Sequence, residues 1–249
     1  MGQYFKAINI DKKQVLRFIG GQKLGECLFD ASPNNLVGLL TETGAWNGDR
    51  IICVGGYVDE DDLPPGCLTD AEEEEVKAAD LERRTLHSFA SENYSAVRRG
   101  DYSAVRRGGH DLDPNTSYAL RNLTKHECVF ETAACRYGLA LHGHRRQVGF
   151  GEVLFARISW SSDPSVNMSY NDQFIEKNDT EEDRTKHKGI HRGVWAGDRF
   201  DIIPVNEMKL LDGFAEWKDV SDEVAKEIDG IWTCEYGDEY TKELARVTK

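Results

Sequence analysis

Trp46-Asn47-Gly48-Asp49-Arg50 and Trp195-Ala196-Gly197-Asp198-Arg199 carry one pattern, Trp-x-Gly-Asp-Arg, twice in a chain of 249 residues. Two further strings recur around it. Asn9-Ile10-Asp11-Lys12 is echoed by Asn122-Leu123-Thr124-Lys125, and Gly25-Glu26-Cys27-Leu28-Phe29 by Gly151-Glu152-Val153-Leu154-Phe155. The echoes keep the same order, at offsets of 113, 126 and 149 residues. Chance can supply one short match, but three in register predict a diverged internal duplication.

The local patterns around the echoes define the expected module. Tyr4–Ile10 and Gln14–Ile19 alternate around Asp11-Lys12-Lys13 and predict a hairpin. Leu24, Cys27, Leu28 and Ala31 share a helical face, closed by Ser32-Pro33-Asn34-Asn35, and Leu36–Leu40 suits a second helical piece. Ile51–Val54, after the Asn47-Gly48 turn, suits a buried strand. Residues 1–60 thus form a first ββαβ module. Residues 118–206 form a second, with a hairpin over Tyr118–Leu123 and Glu127–Thr132 and a closing strand over Phe200–Val205. Its Gly151–Ile158 segment is expected as a helix, although Val153, Phe155 and Ile158 also tolerate a strand.

Residues 61–117 connect the modules. Thr69 and Glu72 fit a capping box that starts a helix reaching to about Leu86. Next, Tyr94–Gly100 is duplicated as Tyr102–Gly108, which places Arg98-Arg99 and Arg106-Arg107 in a loop that glutamates 72 to 75 can neutralise. Asn167–Lys188 reads as a polar loop. In residues 207–249, Val220, Val224, Ile228, Ile231 and Trp232 share one face, predicting a docked helix over Ser221–Trp232, followed by a dozen polar residues expected to fray. The whole is an α+β fold: two duplicated ββαβ modules packed as one pseudo-twofold globular unit with a C-terminal docking helix.

Composition bounds the function. Hydrophobic residues make up 39% and charged residues 30%, the balance of a globular protein, and no apolar run is long enough to span a bilayer. The start, Met1–Lys6, has neither the basic residues nor the apolar stretch of a secretory signal, so the expected location is cytoplasmic. A net charge of −13 weighs against nucleic acid and anionic membranes as partners. The six cysteines include no C-x-x-C pair and read as small buried hydrophobes.

Turn chemistry alone explains each position of Trp-x-Gly-Asp-Arg: Trp anchors the turn, Gly permits positive φ, Asp bonds turn amides and Arg opens a strand. The duplication adds a functional reading, because pockets favour seams between modules. On it, Trp46, Asp49, Arg50, Trp195, Asp198 and Arg199 line a shared polar cleft; the arginines hold a small anionic molecule or a group on a protein partner, the aspartates orient them and the indoles shape the walls. The rival is a metal-dependent hydrolase, with His142-x-His144 and His187-x-x-x-His191 spaced for zinc and a nearby Asp or Glu as base. Neither pair carries an H-E-x-x-H signature, and Gly189 weakens the helix that the second pair needs. No nucleophile elbow or phosphate loop is present.

Several strings together resemble a group of uncharacterised fungal hypothetical proteins: Leu120–Thr124 with Glu127, Ser161–Ser165, His191–Gly197 with Arg199–Asp201, and Trp217–Val224. The start, Met1–Tyr4 with Asn9–Lys12 and the first Trp-x-Gly-Asp-Arg, is similar to that group and to shorter bacterial hypothetical proteins. The resemblance covers most of the chain outside roughly residues 65 to 115. It implies a fungal, intracellular origin, and it transfers no cofactor and no catalytic residue.

Overall fold

A computed structural model describes residues 4–16, 23–29, 34–58, 62–79, 85–97, 112–113, 115–161 and 193–248, without the side chains at 26, 27, 34 and 35. The doubled Arg-Arg segment, the polar loop from Asn167, and His187 and His191 lie outside these residues.

The opening hairpin forms as expected, from β1 (Phe5–Asn9) and β2 (Gln14–Leu16), followed by α1 (Leu24–Phe29) and α2 (Asn34–Leu40). Strand β3 (Ile51–Gly55) returns antiparallel to β1, pairing Asn9 with Ile51 and Phe5 with Gly55. The second region has β5 (Tyr118–Asn122) and β6 (Glu127–Phe130) as a hairpin, with β10 (Phe200–Pro204) antiparallel to β5. Each hairpin takes a short parallel strand on its outer edge. β4 (Ser95–Ala96) lies beside β2, and β11 (Lys218–Asp219) beside β6. One sheet therefore runs β4-β2-β1-β3-β9 and the other β10-β5-β6-β11, where β9 is Ser159–Trp160.

The two sheets are tied by reciprocal crossings. Helix α6 (Phe150–Ile158), buried on every face, feeds β9, which pairs parallel with β3 of the other sheet through Cys53–Ser159 and Val54–Trp160. Helix α2 feeds Thr41, which bridges parallel to Ile202 in β10. The helices pack on each other, α2 also against β10 and α6 against β3. Alternation along the strands splits their side chains between two faces. Phe5, Ala7, Leu16, Ile51, Cys53, Leu120, Val129, Phe200 and Ile202 join one core with both helices, whereas Ile8, Val15, Ile52 and Val54 face the connector.

Among its described residues that connector holds two helices rather than the single one expected. α3 (Asp70–Ala78) starts at the Thr69/Glu72 capping box but ends at Ala79, and α4 (Leu86–Asn93) starts afresh with Thr85 as its cap. Leu86, Phe89 and Ala90 cover the first sheet. The basic stretch around His142–Arg146 forms a hairpin of β7 (Arg136–Leu141) and β8 (His144–Val148), preceded by the short α5 (Glu131–Ala134). One further expectation is corrected. The chain end is helical rather than frayed. After α7 (Val205–Met208) and the predicted docking helix α8 (Ser221–Tyr236), α9 (Asp238–Val247) packs on β7 and buries Tyr240, whose hydroxyl donates to Asp229. An apolar face among polar residues was enough to dock it.

Candidate functional site

At the two turns, matched bonds recur. The Trp46 amide donates to the Leu39 carbonyl and the Trp195 amide to the Arg157 carbonyl, each at 2.8 Å. The Trp46 indole donates to Gln14 and the Trp195 indole to Glu127, each at 2.7 Å. Asp49 accepts from Asn9 and Asp198 from Asn122, each at 2.7 Å. Lys12 pairs with Asp49, and Lys125 with Asp198. The turns meet back to back. Arg50 and Arg199 form an antiparallel bridge, with Ile51 N donating to Asp198 O and Gly48 N to Phe200 O.

The middle sequence echo does not map onto these contacts. Leu39 and Thr41, at the end of α2, occupy the roles of Arg157 and Ser159 at the end of α6. Gly151–Phe155 lies in α6, and Gly25–Phe29 lies in α1, which packs on α6.

The proposed cleft roles meet a different geometry. Both turn tryptophans are fully buried, so they anchor the turns and form no ligand wall. The aspartates orient asparagine and lysine, not arginine. The Arg50 guanidinium binds both Glu72 oxygens, the Cys67 carbonyl and Asp11. Arg199, the more exposed, donates to Asp11 and the Gly48 carbonyl. Burial alone would raise Asp11, but the Arg50 amide and guanidinium and the Arg199 charge outweigh it and hold it below its ordinary value. For Glu72, burial is likewise outweighed by Arg50 and Thr69. The seam is a set of satisfied charges, and an anion there would have to displace carboxylates already in place.

Of the histidines named for zinc, the two within the described residues lie on the outside. His142 sits at the β7–β8 turn with φ 50°, its ring exposed, beside Glu239 at 3.3 Å; His144 is exposed on β8. Among the described residues no three His, Cys, Asp or Glu are grouped to hold a metal. Cys53, Cys67, Cys128 and Cys135 are buried and Cys234 half-buried, all as free thiols; burial pushes the Cys67 thiol up to about 12 and Cys128 to about 11.

A concave site does exist, in a part of the second region that the turn motifs do not mark. A cavity of about 1110 Å³ opens between the lead into β5, the α5–β7 corner, β8 and the end of α9. Glu131, Cys135 and Tyr137 line it at the corner. The Tyr137 hydroxyl donates to Glu131 Oε1 at 2.7 Å, and the Tyr118 amide donates to Glu131 Oε2 at 3.3 Å. Burial pushes the Cys135 thiol and the Tyr137 phenol far up, so both stay neutral. Against models of known families, the curated proteins and the solved structures, the chain finds no match.

Behind the corner lies Glu152. A Cβ added to Gly149 would stand 3.5 Å from Glu152 Oε2 and 3.9 Å from the Tyr137 hydroxyl, so the two groups are neighbours. Glu152 is 3% exposed, and its hydrogen bonds come from backbone amides, including Gly149 N at 2.8 Å. Burial raises its carboxyl from 4.5 to about 7 against those bonds. Between about pH 4.5 and 7 the folded protein keeps a proton that the unfolded chain has released, so this group's contribution to stability falls as pH rises through that window. Glu152→Gln keeps the acceptor for Gly149 and removes the charge. It is expected to gain about 2–3 kcal/mol over the parent between pH 5 and pH 8. Urea midpoints at both pH values measure it, and a variant that tracks the parent at both would refute the assignment.

Neither Glu131 nor Tyr137 stood out in the sequence, and Glu152 did so only as a letter of the Gly151–Phe155 echo. They come from three elements, share no motif spacing, and gain their environment only when α9 closes one side of the hairpin.

Proposed function

We propose that this is an intracellular binding protein, built from two related ββαβ modules about an approximate twofold axis, that holds a small polar molecule in the cavity at the α5–β7 corner. The matched bonds at the two Trp-x-Gly-Asp-Arg turns support the module relation: amide, indole, aspartate and lysine partners recur in the same roles. The reciprocal strand pairing supports the axis. In this reading the turns clasp the halves together, and the ligand goes elsewhere. The observation that carries the binding role is the cavity itself, lined by polar side chains around a partly exposed, hydrogen-bonded Tyr137–Glu131 pair.

Among the described residues no helix is long and apolar enough to cross a membrane, which agrees with the composition. Native mass spectrometry of the untagged protein, after exposure to the small-molecule fraction of a cell extract, tests the reading. A retained mass is expected on the parent and on Arg199→Ala, and its loss on Tyr137→Ala. Retention by Tyr137→Ala with loss on Arg199→Ala would return the site to the seam.

A further inference from the structure

The cavity also limits what its occupant can be, and this step rests on the binding reading above. Among the described residues Arg136 is the one basic side chain in the lining, and its terminal nitrogens are committed: they donate to the carbonyls of Ala133 and Cys135 and to Asp229. Among the described residues no other cation lines the cavity to meet a phosphate or carboxylate, and Asp113 and Glu131 add negative charge at the rim and corner. An anionic occupant would enter unpaired.

What the lining offers is acceptors and hydroxyls. Glu131 uses one lone pair on each oxygen for Tyr137 and Tyr118, leaving a second on each. Asp113 Oδ1 accepts two bonds from Asn115 and Oδ2 one from Thr116, which leaves a single lone pair on Oδ2. The hydroxyls of Ser117 and Thr132, both in exposed residues of the lining, have no partner among the described residues, and each can donate and accept. Tyr137 is 38% exposed beside them. A ring phenol next to carboxylate lone pairs and neutral hydroxyls suits a ligand whose groups both donate and accept, and whose C–H faces lie on an aromatic ring.

We propose that the occupant is a neutral polyhydroxylated molecule, a sugar of one to three residues, held by Glu131, Ser117 and Thr132 and stacked on Tyr137. The volume lies at the upper end of small-molecule pockets and admits this size. A small ammonium would satisfy the carboxylates but would leave the hydroxyls without acceptors to answer them.

Saturation-transfer NMR and calorimetry on the full chain test it, with glucose, maltose, cellobiose and chitobiose as neutral probes, putrescine as the cation and inorganic phosphate as the anion. At least one sugar is expected to bind, with affinity reduced tenfold or more by Tyr137→Ala and by Thr132→Val, and with phosphate silent. Thr132 is exposed, so its variant keeps the fold. Putrescine or phosphate binding that these variants abolish, with every sugar silent, would overturn the ligand class and leave the pocket standing. Sugar binding indifferent to both variants would place it elsewhere and overturn the proposal. Silence from all three classes would overturn the pocket reading as well.

Discussion

Gly193→Ala is expected to destabilise the protein by about 4 kcal/mol, through overpacking together with two lost backbone hydrogen bonds. A Cβ at Gly193 would stand 2.2 Å from the Arg157 carbonyl oxygen, 2.5 Å from its carbon and 2.9 Å from the Ile158 nitrogen. These are backbone atoms at the end of α6, which is buried on all sides, so no flexible side chain can yield. Relief requires the turn to move away from the helix end, which breaks the Gly193 amide bond to Ser159 and the Trp195 amide bond to Arg157, each 2.8 Å. Gly44 is in the same position on the other side, with its Cβ site 2.3 Å from the Leu39 carbonyl, and Gly44→Ala should behave alike. Gly48→Ala is the control. Its φ is +77° but nothing lies within 4 Å, so only the backbone cost of about 1–2 kcal/mol applies. Urea midpoints rank the three variants. Equal losses for Gly193→Ala and Gly48→Ala would mean that the turn can retreat from the helix freely.

Arg157→Ala should cost about 3–4 kcal/mol, lowering the Tm by about 10 °C for a chain of this size. The side chain is 2% exposed. Its guanidinium lies 4.6 Å over the Trp195 ring and donates to Glu223 at 2.7 Å and Glu227 at 3.1 Å, both on α8. One residue thus joins the second turn tryptophan to the C-terminal helix. The two glutamates are 49% and 24% exposed, so they recover hydration when the cation leaves, and the larger share of the loss is the vacated volume and the cation–π contact. Arg157→Met separates the two contributions, because it refills the space without the charge. It is expected to recover about half of the loss on volume grounds. A methionine variant as unstable as the alanine one would show that the ion pairs dominate instead.

The legible parts of this fold were those written in local pattern. The β1–β2 and β5–β6 hairpins, the capping box at Thr69 and the apolar face of Val224, Ile228, Ile231 and Trp232 are all short-range signals, and each sits where periodicity placed it. The Trp-x-Gly-Asp-Arg turns were legible as turns, with tryptophan buried and glycine at positive φ. The failures were of pairing at a distance. Gly25–Phe29 and Gly151–Phe155 share letters but lie in α1 and α6, whereas the carbonyls that accept from the two tryptophan amides come from α2 and α6. The ion pairs of Arg50 depend on Glu72, a residue of the connector helix, so sequence could not show that this arginine was already occupied. The cavity was invisible for the same reason: α9 closes on β7 from the far end of the chain.

The corner that walls the cavity has a consequence for stoichiometry. Between β6 and α6 the chain carries α5 and the β7–β8 hairpin, whereas the described residues between β2 and α2 are those around a single short helix, α1. The receptacle takes Glu131, Tyr137 and Gln147 from the α5–β8 segment and closes it with the lead into β5 and the end of α9, neither of which has a counterpart around α1 among the described residues. A saturating titration should therefore end at one molecule per chain and not two.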